Sequence, residues 1–284
     1  MGIAKVGVVG CGQMGAGIVE ISAKAGYEVI AREVDESLLD RGLGRIEKSL
    51  SKAVSRGKLE ASEKEAILSR ITGTTELADL ADCDLIIEAV PEDKSLKMSL
   101  FAELDGLVKP EAIFCTNTSS LVVTELAMAT KRVDRFACLH FFNPVPVMKL
   151  VEVVRTILTS DETFDAIFEF ARKVGKTPIA AKDNSGFIVN RLLIPYLLDA
   201  IRAYEQGLGS REDIDTGMKF GCGHPMGPLE LCDFIGLDTM YFVAEVMFDE
   251  YREPRFAPPG LLKRMVKAGL LGRKTGKGFY DYSS

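Results

Sequence analysis

The stretch IAKVGVVGCGQMG, residues 3–15, decides the fold of the N-terminal part of the chain. A short apolar run leads directly into glycines with the spacing G-x-G-x-x-G. Glycines at this spacing allow a tight turn, a close approach of the backbone to a pyrophosphate, and close packing of the helix that follows. The N–H groups at the start of that helix then point at the phosphates. The residues predicted to bind a dinucleotide here are Gly10, Gly12, Gln13, Met14 and Gly15.

The next strand-like run, residues 27–33, ends in an acidic residue at the position expected for a dinucleotide site. Glu33 follows Gly15 by 33 − 15 = 18 residues, close to the usual separation of about 20. A carboxylate at this position binds the adenosine ribose hydroxyls and repels a 2′-phosphate, whereas the adjacent Arg32 could pair with that phosphate. The pattern favours NAD(H) over NADP(H). The alternative interpretation is a glycine-rich loop beside a surface acid.

Strand-like and helical segments alternate along the first two thirds of the chain. Further apolar runs lie at residues 83–90, 112–117, 136–141, 150–154 and 177–182. Segments with helical periodicity, such as residues 94–108, separate most of them. Alternation of this kind predicts a doubly wound, mostly parallel sheet of the Rossmann type, which we assign to residues 1–184.

The pattern changes at the sequence DNSGF, residues 183–187. Asn184 or Ser185 is a candidate N-cap for a long helical segment, and Pro195 inside that segment predicts a kink. Beyond it we find helical periodicity and Gly/Pro-rich loops but no convincing strands. We therefore predict a second, all-helical domain over residues 185–284.

Composition excludes several classes of protein. The net charge of −6 argues against general nucleic-acid binding. No apolar run has the length of a membrane helix, and the N-terminus has the pattern of a strand rather than a signal peptide. The six cysteines form no CxxC pair, and no His/Cys cluster has metal-ligand spacing. We expect a cytoplasmic, disulfide-free enzyme that needs no metal and does not bind membranes.

Polar side chains follow three of the predicted strands, at residues 83–90, 112–117 and 136–141. In an open α/β sheet, ligands bind beyond the carboxyl ends of the strands. These polar side chains should therefore surround one crevice. The candidates are Glu92, Asn117, Ser119, His140 and Asn143.

One of only two histidines, His140, lies at the end of the strand-like run FACLHF. An imidazole can accept and donate a proton near neutral pH, which suits the interconversion of an alcohol and a ketone. Glu152, in the apolar run KLVEVV, is the nearest strand-borne carboxylate that could orient the ring, and an unpaired carboxylate there would be costly. Two alternatives stay open: a core histidine bonded to the backbone, and a glutamate on an exposed strand face. The second histidine, His224, lies in a Gly/Pro-rich loop and is interpreted as structural.

A series of motifs, in order along the chain, resembles the 3-hydroxyacyl-CoA dehydrogenase family. The motifs are NTSSL, HFFNPVPVMKLVEVV, GFIVNRLLIPYL, EDID, HPMGPLEL, IGLD and GRKTGKGFYDY. The resemblance extends from the first strand to the last residues and is closest to short, free-standing bacterial members. It implies an NAD(H)-dependent oxidoreductase that interconverts (S)-3-hydroxyacyl-CoA, such as 3-hydroxybutyryl-CoA, and 3-ketoacyl-CoA, such as acetoacetyl-CoA.

The resemblance also implies roles for the matching residues. His140 would be the general acid/base, Glu152 its partner, and Ser119 and Asn190 the residues that hold the 3-oxygen of the substrate. The expected cofactor contacts beyond the glycine loop are Glu33, Glu92, Lys97, Asn117 and Asn143, of which Asn143 would also contact the substrate. The helical domain would bind substrate and form a homodimer. Two departures from the family pattern are mild: Glu33 stands where Asp is frequent, and Pro91 precedes Glu92.

The segment 43–56 has a basic face. Apolar residues at helical spacing form one side of it, and the other side carries Arg45, Lys48, Lys52 and Arg56. Such a face could attract the phosphates of CoA, with Lys52 and Arg56 as the candidate contacts. A solvated helix face is an equally simple interpretation.

Two other functions share many of these features. A dehydrogenase of a free 3-hydroxy acid would need a dedicated clamp for the substrate carboxylate, and the basic face and the motifs favour a thioester instead. A non-catalytic NAD-binding structural protein could use the same fold. The presence of Ser119, His140, Glu152 and Asn190 together argues against that second reading.

Overall fold

The computed structural model describes residues 2–283. The chain divides into two compact units, with the boundary between Asn184 and Ser185. Across residues 2–283, no helix combines the length and the apolar character needed to cross a bilayer. The six cysteines are unpaired thiols, and Cys222 is the exposed one among them.

The first unit is built on one eight-stranded sheet with the order β3-β2-β1-β4-β5-β6-β7-β8. Its strands are β1 Lys5–Val9, β2 Glu28–Arg32, β3 Ile71–Thr74, β4 Leu85–Glu88, β5 Ile113–Thr116, β6 Phe136–Phe141, β7 Leu150–Arg155 and β8 Thr177–Lys182. All neighbours are parallel except β6 and β7, which run antiparallel. The predicted fold class, a Rossmann-type mostly parallel sheet followed by helices, is confirmed.

Helices connect most of these strands. They are α1 Gln13–Lys24, α2 Glu36–Ser55, α3 Ala61–Leu68, α4 Lys94–Leu107, α5 Val123–Ala127 and α6 Asp161–Lys173. The residues of β4, β5 and β6 are buried throughout, which explains why these strands are continuous apolar runs in the sequence. Buried side chains of α1 and α2, such as Ile18 and Ile46, belong to the same core as the strands.

The second unit is helical. Its helices are α7 Val189–Glu205, α8 Arg211–Cys222, α9 Pro228–Ile235, α10 Leu237–Tyr251 and α11 Gly260–Lys267. A separate apolar core holds them together, with Leu197, Met240 and Phe256 fully buried. Within this unit, the described residues pair in β-fashion only at isolated bridges near the end of the chain, between Gly272, Lys277 and Asp281.

Two details of the sequence-based prediction are corrected. The N-cap of α7 is Ile188, not Asn184 or Ser185, because Gly186 and Phe187 adopt positive φ angles of 80° and 45° and delay the helix by one turn. The structure also contains β3, which the sequence pattern did not predict. Its residues are only partly buried, since β3 is an edge strand that pairs with β2 alone. The helix α7 continues through Pro195.

Candidate active site

The loop after β1 has the backbone geometry that a dinucleotide-binding turn requires. Gly10 has a φ of +92°, and a Cβ there would lie 2.7 Å from the carbonyl oxygen of Ala89. A Cβ at Gly15 would lie 1.7 Å from the carbonyl oxygen of Gly10. A Cβ at Gly12 would meet nothing within 4 Å, so the backbone on that side is open to a ligand. Two of the glycines therefore serve the turn and one serves the approach of a phosphate.

The start of α1 suits an anionic group. Its N-cap is Gly12, which offers no capping side chain, and the first turn contains no acidic residue. Met14 packs against the apolar core and so anchors the first turn of α1. Glu33 follows β2 directly, and its Oε1 accepts the backbone N–H of Cys11 at 2.7 Å. Phosphates at the helix start and ribose hydroxyls at Glu33 are the contacts that these residues fit.

Arg32 is hydrogen-bonded to the protein through one nitrogen of its guanidinium. Its Nε donates a hydrogen bond to the carbonyl oxygen of Thr75 at 3.2 Å. This contact ties the arginine to the loop that follows β3. The carboxylate of Glu33 is thus the group beside the glycine loop at this strand end, which favours a ribose without a 2′-phosphate.

His140 and Glu152 face each other across the antiparallel pair β6 and β7, where they are register partners. His140 Nδ1 lies 2.6 Å from Glu152 Oε2, and the two side chains are 7% and 0% exposed. The ring of Phe142 packs against the imidazole with 4.6 Å between centroids. Because β7 runs antiparallel to β6, it begins at the edge of the sheet where β4 and β5 end. Glu152 is the third residue of β7 and therefore lies near that edge. The structure thus brings the two predicted residues into one buried pair.

The loop after β5 contains Asn117 and Ser119. Asn117 Oδ1 accepts the backbone N–H of Phe141 at 3.0 Å, which ties the end of β5 to the end of β6. Ser119 is half-buried, and its backbone N–H donates to Glu92 Oε1 at 3.1 Å. Asn117 therefore holds the strand ends together, while Glu92 holds the Ser119 loop.

Asn143 connects the two halves of the site. It is exposed, and its Oδ1 accepts a hydrogen bond from Gln13 Nε2 at 3.0 Å. Gln13 is the first residue of α1, in the glycine loop, and Asn143 follows β6. The predicted dinucleotide loop and the loop after His140 are therefore in direct contact.

Lys97, a predicted cofactor contact, is buried and forms ion pairs with two carboxylates. Its side chain is 1% exposed, and its Nζ lies 2.5 Å from Glu88 Oε1 and 3.3 Å from Glu92 Oε2. Burial raises the pKa of Glu88 in spite of Lys97 and the surrounding hydrogen bonds. Burial also acts to raise the pKa of Glu92, but the charge of Lys97 and hydrogen bonds from Thr118 and its neighbours outweigh it, and this pKa is lowered.

Glu88 is the site residue that sequence reasoning missed. It is the last residue of β4, in the run DLIIEAV, and all four residues of that strand are buried. A carboxylate inside a buried apolar strand is costly unless it is paired, so its position was itself a signal. The partner, Lys97, lies nine residues away on α4, where no local pattern links the two.

The structure describes the remaining predicted residues one by one. Lys52 and Arg56 are exposed at the C-terminal end of α2, and neither forms an ion pair with a carboxylate of the described residues within 4.0 Å. Asn190 is the second residue of α7, in the other compact unit, and is half-buried. His224 Nδ1 lies 3.1 Å from Tyr196 Oη within that unit. The neighbours of His224 are therefore those of a structural histidine.

Comparisons with known proteins match both units of the chain to a single family. The model of the 3-hydroxyacyl-CoA dehydrogenase NAD binding domain matches residues 5–184, and that of the C-terminal domain matches residues 186–282. A 3-hydroxybutyryl-CoA dehydrogenase of Mycobacterium tuberculosis (strain ATCC 25618 / H37Rv) is 51% identical over 282 residues, 99% of each chain. The mitochondrial hydroxyacyl-coenzyme A dehydrogenase of Homo sapiens is 46% identical and covers 98% of this chain and 90% of its own.

A solved structure gives the same answer. The (S)-3-hydroxybutyryl-CoA dehydrogenase PaaH1 from Ralstonia eutropha is 44% identical and superposes with a TM-score of 0.97 over 100% of both chains. These matches confirm the predicted resemblance and the predicted cofactor, NAD. The chain belongs to the 3-hydroxyacyl-CoA dehydrogenase family of NAD-dependent enzymes.

Proposed function

We propose that this enzyme interconverts (S)-3-hydroxybutyryl-CoA and acetoacetyl-CoA with NAD(H). The observation that carries the proposal is the buried pair of His140 and Glu152, with Nδ1 and Oε2 2.6 Å apart, at the edge of the sheet that also holds the glycine loop. Two of the relatives named above, which match over 99% and 100% of both chains, are 3-hydroxybutyryl-CoA dehydrogenases.

The pair supplies the proton partner of the reaction. A carboxylate accepts hydrogen bonds, so Glu152 keeps the proton of the neutral imidazole on Nδ1, and Nε2 is the atom that exchanges a proton with substrate. Bound NAD supplies the acceptor of the hydride from substrate C3. His140 removes the hydroxyl proton in oxidation and returns it to the 3-oxygen in reduction. Glu152, buried beside the ring, stabilises the imidazolium that forms.

Other residues hold the reactants. We assign Ser119 and Asn190 to the 3-oxygen of the substrate, and Asn143 to both the substrate and the nicotinamide end. The glycine loop and Glu33 hold the pyrophosphate and the adenosine ribose. Asn117, Glu92 and Lys97 shape the nicotinamide side of the site, since their side chains tie together the loops after β4, β5 and β6.

The CoA end is assigned to the basic face of α2. Arg45, Lys48, Lys52 and Arg56 are all exposed there, while Ile46 and Leu50 on the opposite face are buried. Exposed cations without carboxylate partners attract phosphates at modest strength. Lys52 and Arg56 are our choice for the phosphate contacts.

The helical unit is proposed to bind substrate and to form a homodimer in the cytoplasm. Large apolar side chains are exposed on it, namely Leu192, Leu208, Phe220, Phe234 and Phe242. Large exposed apolar side chains are typical of a contact between subunits where they form one patch. Sedimentation of the purified enzyme would report the dimer.

One assay separates this proposal from its rivals. NADH and NADPH oxidation is followed with acetoacetyl-CoA and with free acetoacetate. The proposal expects turnover of the thioester with NADH as the preferred donor. Turnover of acetoacetate with the higher kcat/KM would establish a dehydrogenase of the free acid, and no turnover of either by an enzyme that binds NADH would establish a non-catalytic protein.

The same assay tests the CoA contacts. Lys52→Ala and Arg56→Ala should raise the KM for acetoacetyl-CoA at low salt without changing NADH binding, and the effect should shrink as salt screens exposed charges. Lys131→Ala is the matched control, since Lys131 is also an exposed lysine but lies outside α2, shortly before β6. An unchanged KM in both α2 variants would remove this assignment.

A further inference from the structure

A buried charged cluster lies next to the site but takes no part in the proton transfer. Glu88 Oε1 and Lys97 Nζ are 2.5 Å apart, with side chains 0% and 1% exposed. Glu88 Oε1 also accepts the backbone N–H of Val90 at 2.7 Å, and its Oε2 accepts a hydrogen bond from Thr116 Oγ1 at 2.7 Å. Both oxygens of this carboxylate are therefore held by neighbours on β5, on α4 and in the loop after β4.

The cluster continues into the loop that contains Ser119. Lys97 Nζ lies 3.3 Å from Glu92 Oε2. Glu92 Oε1 accepts hydrogen bonds from Thr118 Oγ1, the backbone N–H of Ser119 and Ser120 Oγ, at 2.5, 3.1 and 3.1 Å. Three successive residues of one loop are thus tied to a single carboxylate oxygen.

Stability alone does not account for this arrangement. A buried ion pair is often no more stable than apolar residues of the same volume, because removing two charges from water offsets their attraction. Here two carboxyl groups share one ammonium beside a fully buried strand, so the cluster has one acidic group more than it has cations. A fully bonded polar cluster does, however, fix the positions of its members closely.

We infer that Glu88 and Lys97 are positioning residues for Ser119, and that they act through Glu92. Glu88 holds the ammonium of Lys97, Lys97 holds Glu92, and Glu92 holds the backbone of the Ser119 loop. The Ser119 hydroxyl then meets the 3-oxygen of the substrate at one fixed place. The inference rests on the proposed role of Ser119 in binding that oxygen.

The test introduces Glu88→Gln into the wild-type enzyme and into Ser119→Ala. In the wild type, Glu88→Gln should lower kcat with acetoacetyl-CoA on the order of 10-fold to 100-fold, because a small misplacement of a binding group has that effect. NADH affinity, measured by fluorescence titration, should change little. In Ser119→Ala, the same substitution should add almost no further loss, because the hydroxyl that it positions is absent.

A matched control removes a charge from another largely buried ion pair. Asp105, near the end of α4, accepts at Oδ1 from Arg132 Nε at 2.7 Å, with side chains 10% and 8% exposed; Arg132 lies shortly before β6. Asp105→Asn should lower the melting temperature and leave kcat per folded molecule at the wild-type value. It thus reports what the loss of a buried charge does when no site residue depends on it.

The outcomes separate the inference from the proposed function. An equal fold-loss of kcat from Glu88→Gln in both backgrounds would overturn the positioning role and leave the proposed reaction intact. A wild-type kcat in Ser119→Ala would instead overturn the assigned role of Ser119, and the inference with it. If Glu88→Gln does not fold, Thr116→Val replaces it in both backgrounds with the same expectations, because it removes only the hydroxyl that bonds Glu88.

Discussion

Each end of β4 carries a carboxyl group paired with a lysine, but the pKa of the carboxyl is lowered at one end and raised at the other. Asp84 precedes the strand and lies 2.5 Å from Lys109, while Glu88 ends it and lies 2.5 Å from Lys97. At the first, which we call the amino end, the side chains of Asp84 and Lys109 are 23% and 34% exposed. At the second, the carboxyl end, those of Glu88 and Lys97 are buried completely or nearly so.

Burial acts to raise the pKa of both carboxyls. At Asp84 it is outweighed by the hydrogen bonds from Lys109 and from the backbone N–H groups of Lys5 and Ala4, so the pKa is lowered. At Glu88 burial is the stronger effect, and the pKa is raised although Lys97 is equally close. The difference shows that desolvation, not the distance to the lysine, decides which form of the carboxyl is favoured.

The buried pair of Glu88 and Lys97 lies at the carboxyl end of β4, which is also the end where the candidate site lies. Perturbed carboxyls cluster at functional sites because geometry and electrostatics there are arranged for ligands rather than for stability. The pair at the amino end, Asp84 and Lys109, is not next to a predicted site residue and remains partly exposed to water.

The largest effect is expected for His140 at the carboxyl end of β6. His140→Gln should lower kcat on the order of 10²–10⁴-fold, the usual loss when a general acid/base is removed, with NADH affinity and melting temperature near wild type. Single-turnover kinetics, NADH titration and thermal unfolding on one preparation give the three values. His224→Gln is the control and should keep its activity. A stable, active His140→Gln enzyme would contradict the mechanism, and an unstable one with normal activity would indicate a core histidine.

The next effect compares the two lysines. Lys97→Met leaves Glu88 buried without its cation and should lower the free energy of unfolding by about 3–5 kcal/mol. Lys109→Met removes the cation from a partly exposed pair and should lower it by about 0–1 kcal/mol. Urea denaturation of both variants without cofactor makes the comparison. Equal losses would mean that burial does not distinguish the two ends.

A smaller effect is expected at Glu33, at the carboxyl end of β2. Glu33→Gln keeps the shape of the side chain but removes the charge that repels a 2′-phosphate. The preference for NADH over NADPH, measured as the ratio of kcat/KM values, should narrow by about tenfold, as expected for one charge-assisted hydrogen bond. If the wild-type enzyme already prefers NADPH, the adjacent Arg32 governs the choice of cofactor instead.

The smallest effect concerns the pH dependence of stability at the amino end. Because the pKa of Asp84 is below its ordinary value of 3.8 in the folded chain, its ionised form stabilises the fold above that value, and this contribution is lost as pH falls through the folded pKa. Asp84→Asn should therefore lower the free energy of unfolding by about 1 kcal/mol at neutral pH and by progressively less in acid. Glu88 has a raised pKa in the folded chain, so its contribution to stability decreases as pH rises. A constant difference between wild type and Asp84→Asn down to low pH would contradict this sign.

Local patterns were sufficient for most of the sheet. β1, β2, β4, β5 and β6 are buried apolar runs that end in glycines or polar residues, and they were predicted within a few residues. β3 was missed because an edge strand needs no continuous apolar run. The antiparallel direction of β7 was not predicted either, although the connection between Phe141 and Leu150 contains no helix and is too short for a parallel crossover.

The sequence by itself predicted the glycine loop, a division near residue 184 and the residue types of the candidate site, because turn geometry and hydrophobic period are local properties. Only the tertiary structure decided which of these residues meet. The antiparallel register of β6 and β7 places Glu152 opposite His140, and the packing of α4 brings Lys97 to Glu88. A sequence pattern shows which face of a strand is buried, but not the register or direction of its partner. Contacts between distant segments therefore depend on how the whole sheet assembles.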